Sequence, residues 1–248
     1  FLYRKIVYFC RFKKKKMREI VSFLNAVQEN NNRAWFAAHK MEYQKAQKRF
    51  NEFVERLLVG ISEFDKEIVG VTLQQSIYRF YRDTRFSPDK RPYKNHIGAY
   101  ICPLGKKSGF AGYYFHVEAD NGDYIGDNIL AAGIYCPEKR VLASIRDDIY
   151  ANAEPYRSAI AKAKGFTVDY TSALKRLPKG FPADAADADL LKLKNFTLGL
   201  SIPKEILFGN DLYEFVIEKL KTTHDYNLLL NRAVEFARDE QADLAFYQ

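Results

Sequence analysis

The densest run of residues that could do chemistry spans residues 76–96, where cationic side chains recur every few positions. Its candidate ligand-binding cations are Arg79, Arg82, Arg85, Lys90 and Lys94, accompanied by Arg91. Guanidinium groups bind phosphate or carboxylate through paired hydrogen bonds, and lysine adds a point charge. The segment therefore predicts a binding site for an anionic small molecule, such as a phosphorylated or nucleotide-like ligand.

The same charges could instead neutralise one another. Residues 77–82 have the pattern of a strand, on which Arg79 and Arg82 point to opposite faces. At least one guanidinium is then expected to leave the aqueous surface, where it needs a carboxylate partner such as Asp83 or Asp89. The alternative is therefore a non-enzymatic interaction module whose charged motif is a structural ion-pair network. No phosphate-loop pattern G-x-x-x-x-G-K-[ST] decides between the two.

Two further predicted strands, residues 97–102 and 113–118, alternate between an apolar side and a side with polar or aromatic groups. The second side carries His96 and Tyr100 on one strand, and Tyr114, His116 and Glu118 on the other. If the two strands pair with these sides on the same face of the sheet, the side chains form the floor of a site. The alternative is a solvated sheet face with one surface histidine.

Proton transfer is the chemistry that this floor could supply. His116 and Glu118 are two residues apart on one face, and we take them, with Asp83, as the catalytic candidates. Tyr100 and Tyr114 join the cations as ligand-binding candidates. H-x-E lacks a third ligand at a recognisable spacing, so no metal site is expected. The sequence identifies no cofactor, and it leaves open whether the protein is an enzyme.

The elements that must position these residues indicate an α+β fold. Apolar residues at helical spacing predict a helix from Met17 and a second over residues 33–61, which form an N-terminal helical hairpin. Strands are predicted at 77–82, 97–102, 113–118, 129–136 and 190–200, and helices near 137–149, 155–164, 203–208, 211–221 and 226–245. The short connections favour an antiparallel or mixed central sheet, and residues 17–248 are expected to form a single domain.

The net charge of +8 lies largely in residues 1–16, which hold seven basic residues and no acidic one, leaving 32 basic and 31 acidic residues elsewhere. We interpret residues 1–16 as an over-extended or non-native leader, with a basic tail that binds lipid or nucleic acid as the alternative. Apart from this leader, the near-neutral body does not favour nucleic acid as a partner. Three cysteines without a C-x-x-C motif, and no long apolar stretch, predict a cytoplasmic protein without a membrane segment. The sequence gives no indication of oligomeric state.

Several motifs together resemble a known family. They are N-N-N-R-A-W-F at residues 30–36, Y-R-F-Y-R-D-T-R-F-S-P-D-K-R-P-Y-K at residues 78–94, G-Y-Y-F-H-V-E at residues 112–118, and L-K-R-L-P-K-G-F followed by L-L-K-L-K-N-F. The sequence is similar to domain-of-unknown-function family 2461, found in bacteria and fungi, from Met17 to about Arg238. The resemblance implies a single-domain cytosolic protein but no established activity, so it transfers no catalytic residues.

Overall fold

The computed structural model describes residues 15–246 of the chain and the side chains of residues 17–240. The described part of the chain starts with three helices, α1 (Lys15–Glu29), α2 (Arg33–Ala38) and α3 (Lys40–Phe64). A 3-10 turn (Lys66–Ile68) and the short helix α4 (Leu73–Ser76) follow. Residues 1–14 lie outside the described residues, so the interpretation of residues 1–16 as a leader stays a prediction.

Within residues 15–246, five strands form one antiparallel sheet. They are β1 (His96–Ile101), β2 (Gly112–Glu118), β3 (Ile129–Ile134), β4 (Thr167–Val168) and β5 (Phe196–Ser201), in the order β1-β2-β3-β5-β4. Every pairing is antiparallel, which confirms the α+β fold class and selects the antiparallel alternative over the mixed one.

The remaining helices follow β3 and β5. They are α5 (Lys139–Ala151), α6 (Glu154–Lys162), α7 (Ala188–Leu191), α8 (Lys204–Leu207), α9 (Leu212–Lys221) and α10 (His224–Phe246). Within residues 15–246, none of the helices combines the length and the apolar character needed to cross a membrane.

One face of the sheet packs against the helices and carries the core. On β2, Phe115 is 1% exposed and Val117 is fully buried, because helices α1 and α3 cover them. The rings of Phe50 and Phe53 on α3 lie with their centroids 6.0 and 5.0 Å from that of Phe115. The apolar side predicted for these strands is therefore the core side.

The opposite face, which we call the open face, is less covered. Ala131 of β3 and Thr197 and Gly199 of β5 lie on it and are partly exposed. A methyl group added at Gly199 would meet no other atom within 4 Å. The polar residues predicted for one side of β1 and β2 lie on this same face.

The predicted strand at residues 77–82 is wrong in detail. The segment is extended beside β1 but contributes only two isolated bridges, from Ile77 to Ala99 and from Tyr81 to Tyr93. Ile77 and Tyr81 are four positions apart, whereas their partners Ala99 and Tyr93 are six positions apart. A regular ladder therefore cannot form between the two segments. The segment still places Tyr78 beside Gly98, because the Tyr78 amide donates to the Gly98 carbonyl oxygen at 3.1 Å.

Two other boundaries also differ from the sequence prediction. The predicted strand at residues 190–200 begins instead with helix α7, because a helical turn buries Leu190, Leu191 and Leu193 together, whereas a strand would expose one side. The predicted helix at residues 33–61 is interrupted at His39, whose ring stacks on Trp35 at 4.0 Å and whose Nδ1 lies 2.8 Å from the Trp35 carbonyl oxygen.

A buried polar contact joins the end of α3 to the start of α10. Asp65, 3% exposed, accepts a hydrogen bond from the Tyr113 hydroxyl at 2.8 Å and lies 3.7 Å from Nδ1 of His224. Burial alone would raise the pKa of Asp65, but His224 and Tyr113 outweigh it and the pKa falls. The nearby Asp65 carboxylate raises the pKa of His224 against the opposing effect of burial, with further attraction from Asp225 and Glu67.

We expect this contact to make stability depend on pH. The folded state binds the His224 proton more tightly than the unfolded chain, so the contribution is complete below about pH 6.5 and is lost as pH rises through the folded-state pKa. His224→Asn should therefore lower the free energy of unfolding more at about pH 5.5 than at about pH 8.5, as measured by urea denaturation. In an Asp65→Asn background the difference should become smaller, since only Asp225 and Glu67 then favour the charged histidine; an equal loss at both pH values in the wild-type background would contradict the assignment.

Candidate functional site

The strand register brings the predicted polar residues together on the open face. His96 lies opposite Glu118, and Tyr100 lies opposite Tyr114. The floor is not solvated, however: His116 is fully buried, Glu118 is 1% exposed and His96 is 8% exposed. The alternative of a solvated face with a surface histidine is therefore wrong, because the chain after β2 folds back over these groups.

A chain of hydrogen bonds connects three residues of β2. The Nε2 atom of His116 lies 3.1 Å from Oε2 of Glu118, and its Nδ1 atom lies 2.9 Å from the Tyr114 hydroxyl. An ionised carboxylate only accepts hydrogen bonds, so Nε2 carries the proton and a neutral His116 accepts from Tyr114 at Nδ1. The arrangement is a Tyr–His–Glu relay that could pass a proton between Tyr114 and His116.

The Glu118 carboxylate also holds the segment of residues 121–126, which we call the Tyr124 loop. It accepts hydrogen bonds from the backbone amides of Tyr124 (2.8 Å), Ile125 (2.9 Å) and Gly126 (3.1 Å). Burial disfavours the charged carboxylate, but His116 and these amides outweigh that effect and lower the pKa of Glu118 to about 2. Gly122 permits the close approach, since a Cβ there would overlap the carboxylate.

Tyr124 covers the two histidines. Its ring stacks on His96 with a centroid distance of 4.0 Å and an interplanar angle of 15°, and its centroid lies 5.8 Å from that of His116. Burial, with repulsion from His116 and Lys94, lowers the pKa of His96 to about 3, so His96 is neutral. Tyr124 itself remains 63% exposed, because only one side of its ring is covered.

Tyr114 is the end of the relay nearest to solvent. It is partly exposed, and Tyr78 meets it edge-on at a centroid distance of 6.3 Å. Burial raises the pKa of Tyr114, which keeps the hydroxyl protonated as a donor to His116. Gly98 makes room for the ring, because a Cβ there would lie 2.6 Å from the Tyr114 hydroxyl oxygen.

Most guanidinium groups of residues 76–96, which we call the charged segment, are paired with carboxylates of the protein. Asp83 accepts from Arg85 at 2.8 Å and lies 3.8 Å from Arg79, and Arg85 lowers the pKa of Asp83 to about 2. Arg82 lies 2.5 Å from Asp89, and 27% of its side chain is exposed. Neither Arg79 nor Arg82, one of which was expected to leave the aqueous surface, is therefore fully buried. These contacts place a carboxylate beside each of the three guanidinium groups and so neutralise part of the charge that would attract an anionic ligand.

A second set of contacts ties the charged segment to the Tyr124 loop. Arg91 lies 2.7 Å from Asp89 and 2.5 Å from Asp123 of the loop. The Asp123 carboxylate also accepts from the amide of Asn95, which immediately precedes β1, at 2.8 Å. The loop is therefore held from outside by Arg91 and Asn95 and from inside by Glu118.

Lys94 differs from the other cations of the segment. Lys90 donates to the Thr84 carbonyl oxygen at 3.0 Å, whereas the Lys94 ammonium forms no ion pair or hydrogen bond with any described residue. It lies 5.7 Å from the centroid of the Tyr78 ring and is partly buried. Burial, with repulsion from Arg79 and Arg82, lowers the pKa of Lys94.

The structure thus brings together some of the predicted site residues and separates others. Tyr114, His116 and Glu118 form the relay. Tyr100 is bound to the backbone, with its hydroxyl 2.8 and 2.7 Å from the carbonyl oxygens of Phe110 and Gly133. Asp83 belongs to the exposed arginine pairs. Among residues 17–240, no three His, Cys, Asp or Glu side chains are grouped as metal ligands.

Sequence reasoning missed the Tyr124 loop. The run N-G-D-Y-I-G-D at residues 121–127 has the composition of a turn, and its single aromatic residue gave no sign that it would fold over His96. A tyrosine between turn residues directly after a strand with His and Glu is the signal that could have identified it.

We expect Glu118→Gln to loosen the Tyr124 loop. The amide side chain cannot accept through both of its terminal atoms, so at least one buried donor loses its partner at a cost of about 1–3 kcal/mol. Hydrogen exchange should become faster at the amides of Tyr124, Ile125 and Gly126. Asp120→Asn is the matched control, because Asp120 bonds Lys204 and Asn25 instead. Unchanged exchange in Glu118→Gln would contradict the role given to this carboxylate.

Comparison with known proteins agrees with this arrangement of motifs. A family model described as conserved hypothetical protein (DUF2461) matches residues 19–227, which include both the charged segment and the relay strand. No curated protein and no solved structure matches the chain. Because the match extends over more than half of its length, the chain belongs to the conserved hypothetical protein family DUF2461.

Proposed function

We propose that the protein binds an anionic small molecule on the open face of the sheet, between Lys94 and Tyr114, and that the Tyr–His–Glu relay exchanges a proton with it. The observation that carries this proposal is the hydrogen-bond chain that runs from the buried Glu118 through the buried His116 to Tyr114, a residue that is itself partly exposed. A chain of this kind, which leads from a buried carboxylate toward the surface, can serve in acid–base chemistry.

Lys94 supports the anionic character of the ligand. A partly buried ammonium without a carboxylate partner is unfavourable, since its charge has lost part of its hydration and the Tyr78 ring compensates only part of that loss. An anion beside it would remove that cost. The Lys94 ammonium lies over the Tyr78 ring, and Tyr78 in turn meets Tyr114 edge-on, so this ring links the ammonium to the outer end of the relay. In this proposal the anion is bound by Lys94 alone and not by the whole charged segment.

The relay supports a proton-transfer step. If the Tyr114 oxygen takes a proton from the ligand, its own hydroxyl proton passes to Nδ1 of His116. The imidazolium that results is stabilised by Glu118, which stays ionised throughout. The reverse sequence would deliver a proton to the ligand. The low pKa of Glu118 suits this role, because it keeps the carboxylate charged at neutral pH.

The floor beside Tyr114 leaves room for a ligand. Tyr114 lies opposite Ala131, and Ala131 lies opposite Gly199, so two small residues continue the same row across the sheet. Both are partly exposed, and the space above Gly199 is empty of protein atoms within 4 Å of a Cβ position. Small residues in a row on a partly exposed face let a ligand approach the backbone.

The rival function is a non-enzymatic interaction module in which the charged segment is structural. The observation that favours it is the continuous chain of ion pairs from Arg82 through Asp89 and Arg91 to Asp123. In this case the segment fixes the Tyr124 loop and binds no ligand. Lys94 and the relay would then be parts of the same folding device.

We expect anions to stabilise the wild-type protein and not its Lys94→Gln variant. A ligand at 100 times its Kd adds about 2.7 kcal/mol of stability, which thermal unfolding detects readily. Titrations should use phosphate, pyrophosphate, citrate and ribose 5-phosphate. Tyr114→Phe should retain anion binding, because it removes only the hydroxyl that belongs to the relay. Lys48→Gln is the control, since Lys48 is exposed on α3, on the other side of the sheet. No stabilisation by any of these anions would refute the proposal.

The rival predicts a different response to Asp89→Asn. Arg82 and Arg91 would lose their shared carboxylate, whose pKa they hold well below its usual range, Arg91 more than Arg82. If the segment is purely structural, this variant should lower the melting temperature and speed amide exchange in the Tyr124 loop, while anions have no effect on wild type or variant. Anion stabilisation that survives in Asp89→Asn and disappears in Lys94→Gln would exclude the rival.

A further inference from the structure

We infer that the ligand of this site carries a planar aromatic ring beside its anionic group, as a nucleotide does, and that the ring stacks on the outer side of Tyr124. The inference rests on the proposed function, because it uses Lys94 as the anion-binding cation. It adds a second contact, made by a residue outside the predicted site, and thereby specifies the class of ligand.

Tyr124 presents a flat surface to solvent. Its inner side stacks on His96 with the two planes only 15° apart, so its outer side is turned away from the sheet. The residue is 63% exposed, as expected if its outer side is not covered. An aromatic ring with one free side can stack a second ring, and such stacking tolerates any nucleobase.

The position of this ring is fixed before any ligand binds. Glu118 holds the backbone amide of Tyr124 itself, and Arg91 and Asn95 hold the neighbouring Asp123. A ligand that stacks on Tyr124 therefore does not have to order the loop, which removes a common entropic cost of binding. An exposed tyrosine on an otherwise unsupported loop would not provide this advantage.

The ring and the cation both act on the same histidine. Tyr124 covers the ring of His96, and Lys94, two residues before the start of β1, adds charge repulsion to the burial that lowers the pKa of His96. A molecule stacked on Tyr124 therefore lies beside the histidine that also senses the Lys94 ammonium. A base joined to a phosphate through a sugar has the composition that fits this pair of contacts.

Calorimetric titration of the full chain with the four ribonucleoside monophosphates tests the inference, with ribose 5-phosphate and adenosine as the ring-free and phosphate-free probes. At least one monophosphate should bind wild type more tightly than either probe. Tyr124→Leu should weaken that binding about 5- to 150-fold, the range expected for loss of one stacked base, and Tyr124→Phe should retain it. Lys94→Gln should reduce binding of the monophosphate and of ribose 5-phosphate alike.

The variants separate stacking from folding. Tyr124→Leu leaves the contacts to Glu118 in place, because they come from backbone amides, and unchanged amide exchange at Ile125 and Gly126 checks this. Tyr135→Leu is the matched control, a 70% exposed tyrosine outside the Tyr124 loop. If ribose 5-phosphate binds as tightly as every monophosphate, or Tyr124→Leu binds like wild type, the inference is overturned and the proposed anion site stands. If no phosphate compound binds, both fall.

Discussion

The structure around the site depends on one buried carboxylate. Glu118 has almost no contact with water, so its charge must be compensated by hydrogen-bond donors of the protein. The Glu118 carboxylate accepts hydrogen bonds from Nε2 of His116 and from three backbone amides of the Tyr124 loop. Because these donors converge on one group, the orientation of His116 and the position of the loop are determined together. The carboxylate also places the histidine proton on Nε2, which leaves Nδ1 free to accept from Tyr114.

The charged segment gains a physical role from the same arrangement. Its arginines are largely paired with aspartates, and the pair between Arg91 and Asp123 reaches the loop that Glu118 holds from inside. The motif that looks most like an anion site in the sequence therefore acts largely as an outer support. Lys94 is the exception, since no described carboxylate neutralises it.

Much of the fold could be predicted because alternation and helical spacing are local properties. The apolar and polar sides of β1 and β2 were assigned correctly, and so was their joint polar face. Residues 77–82 alternate like a strand, but unequal spacing between their two bridges limits the pairing. Helix α7 arises at a position with strand-like alternation because Leu190, Leu191 and Leu193 must all reach the core. Local pattern cannot anticipate which neighbour a segment will meet.

The sequence by itself determined the α+β class and the strand face that carries Tyr114, His116 and Glu118, and the resemblance of its motifs gave the family. The class and the strand face follow from residue types and their spacing along the chain. Only the tertiary structure decided that the polar face is buried, that the arginines are mostly paired, and that Tyr124 covers His96. The reason is physical: burial, the ionic partners of a side chain and the stacking of rings depend on residues distant in sequence, and these meet only when the loops fold back over the sheet.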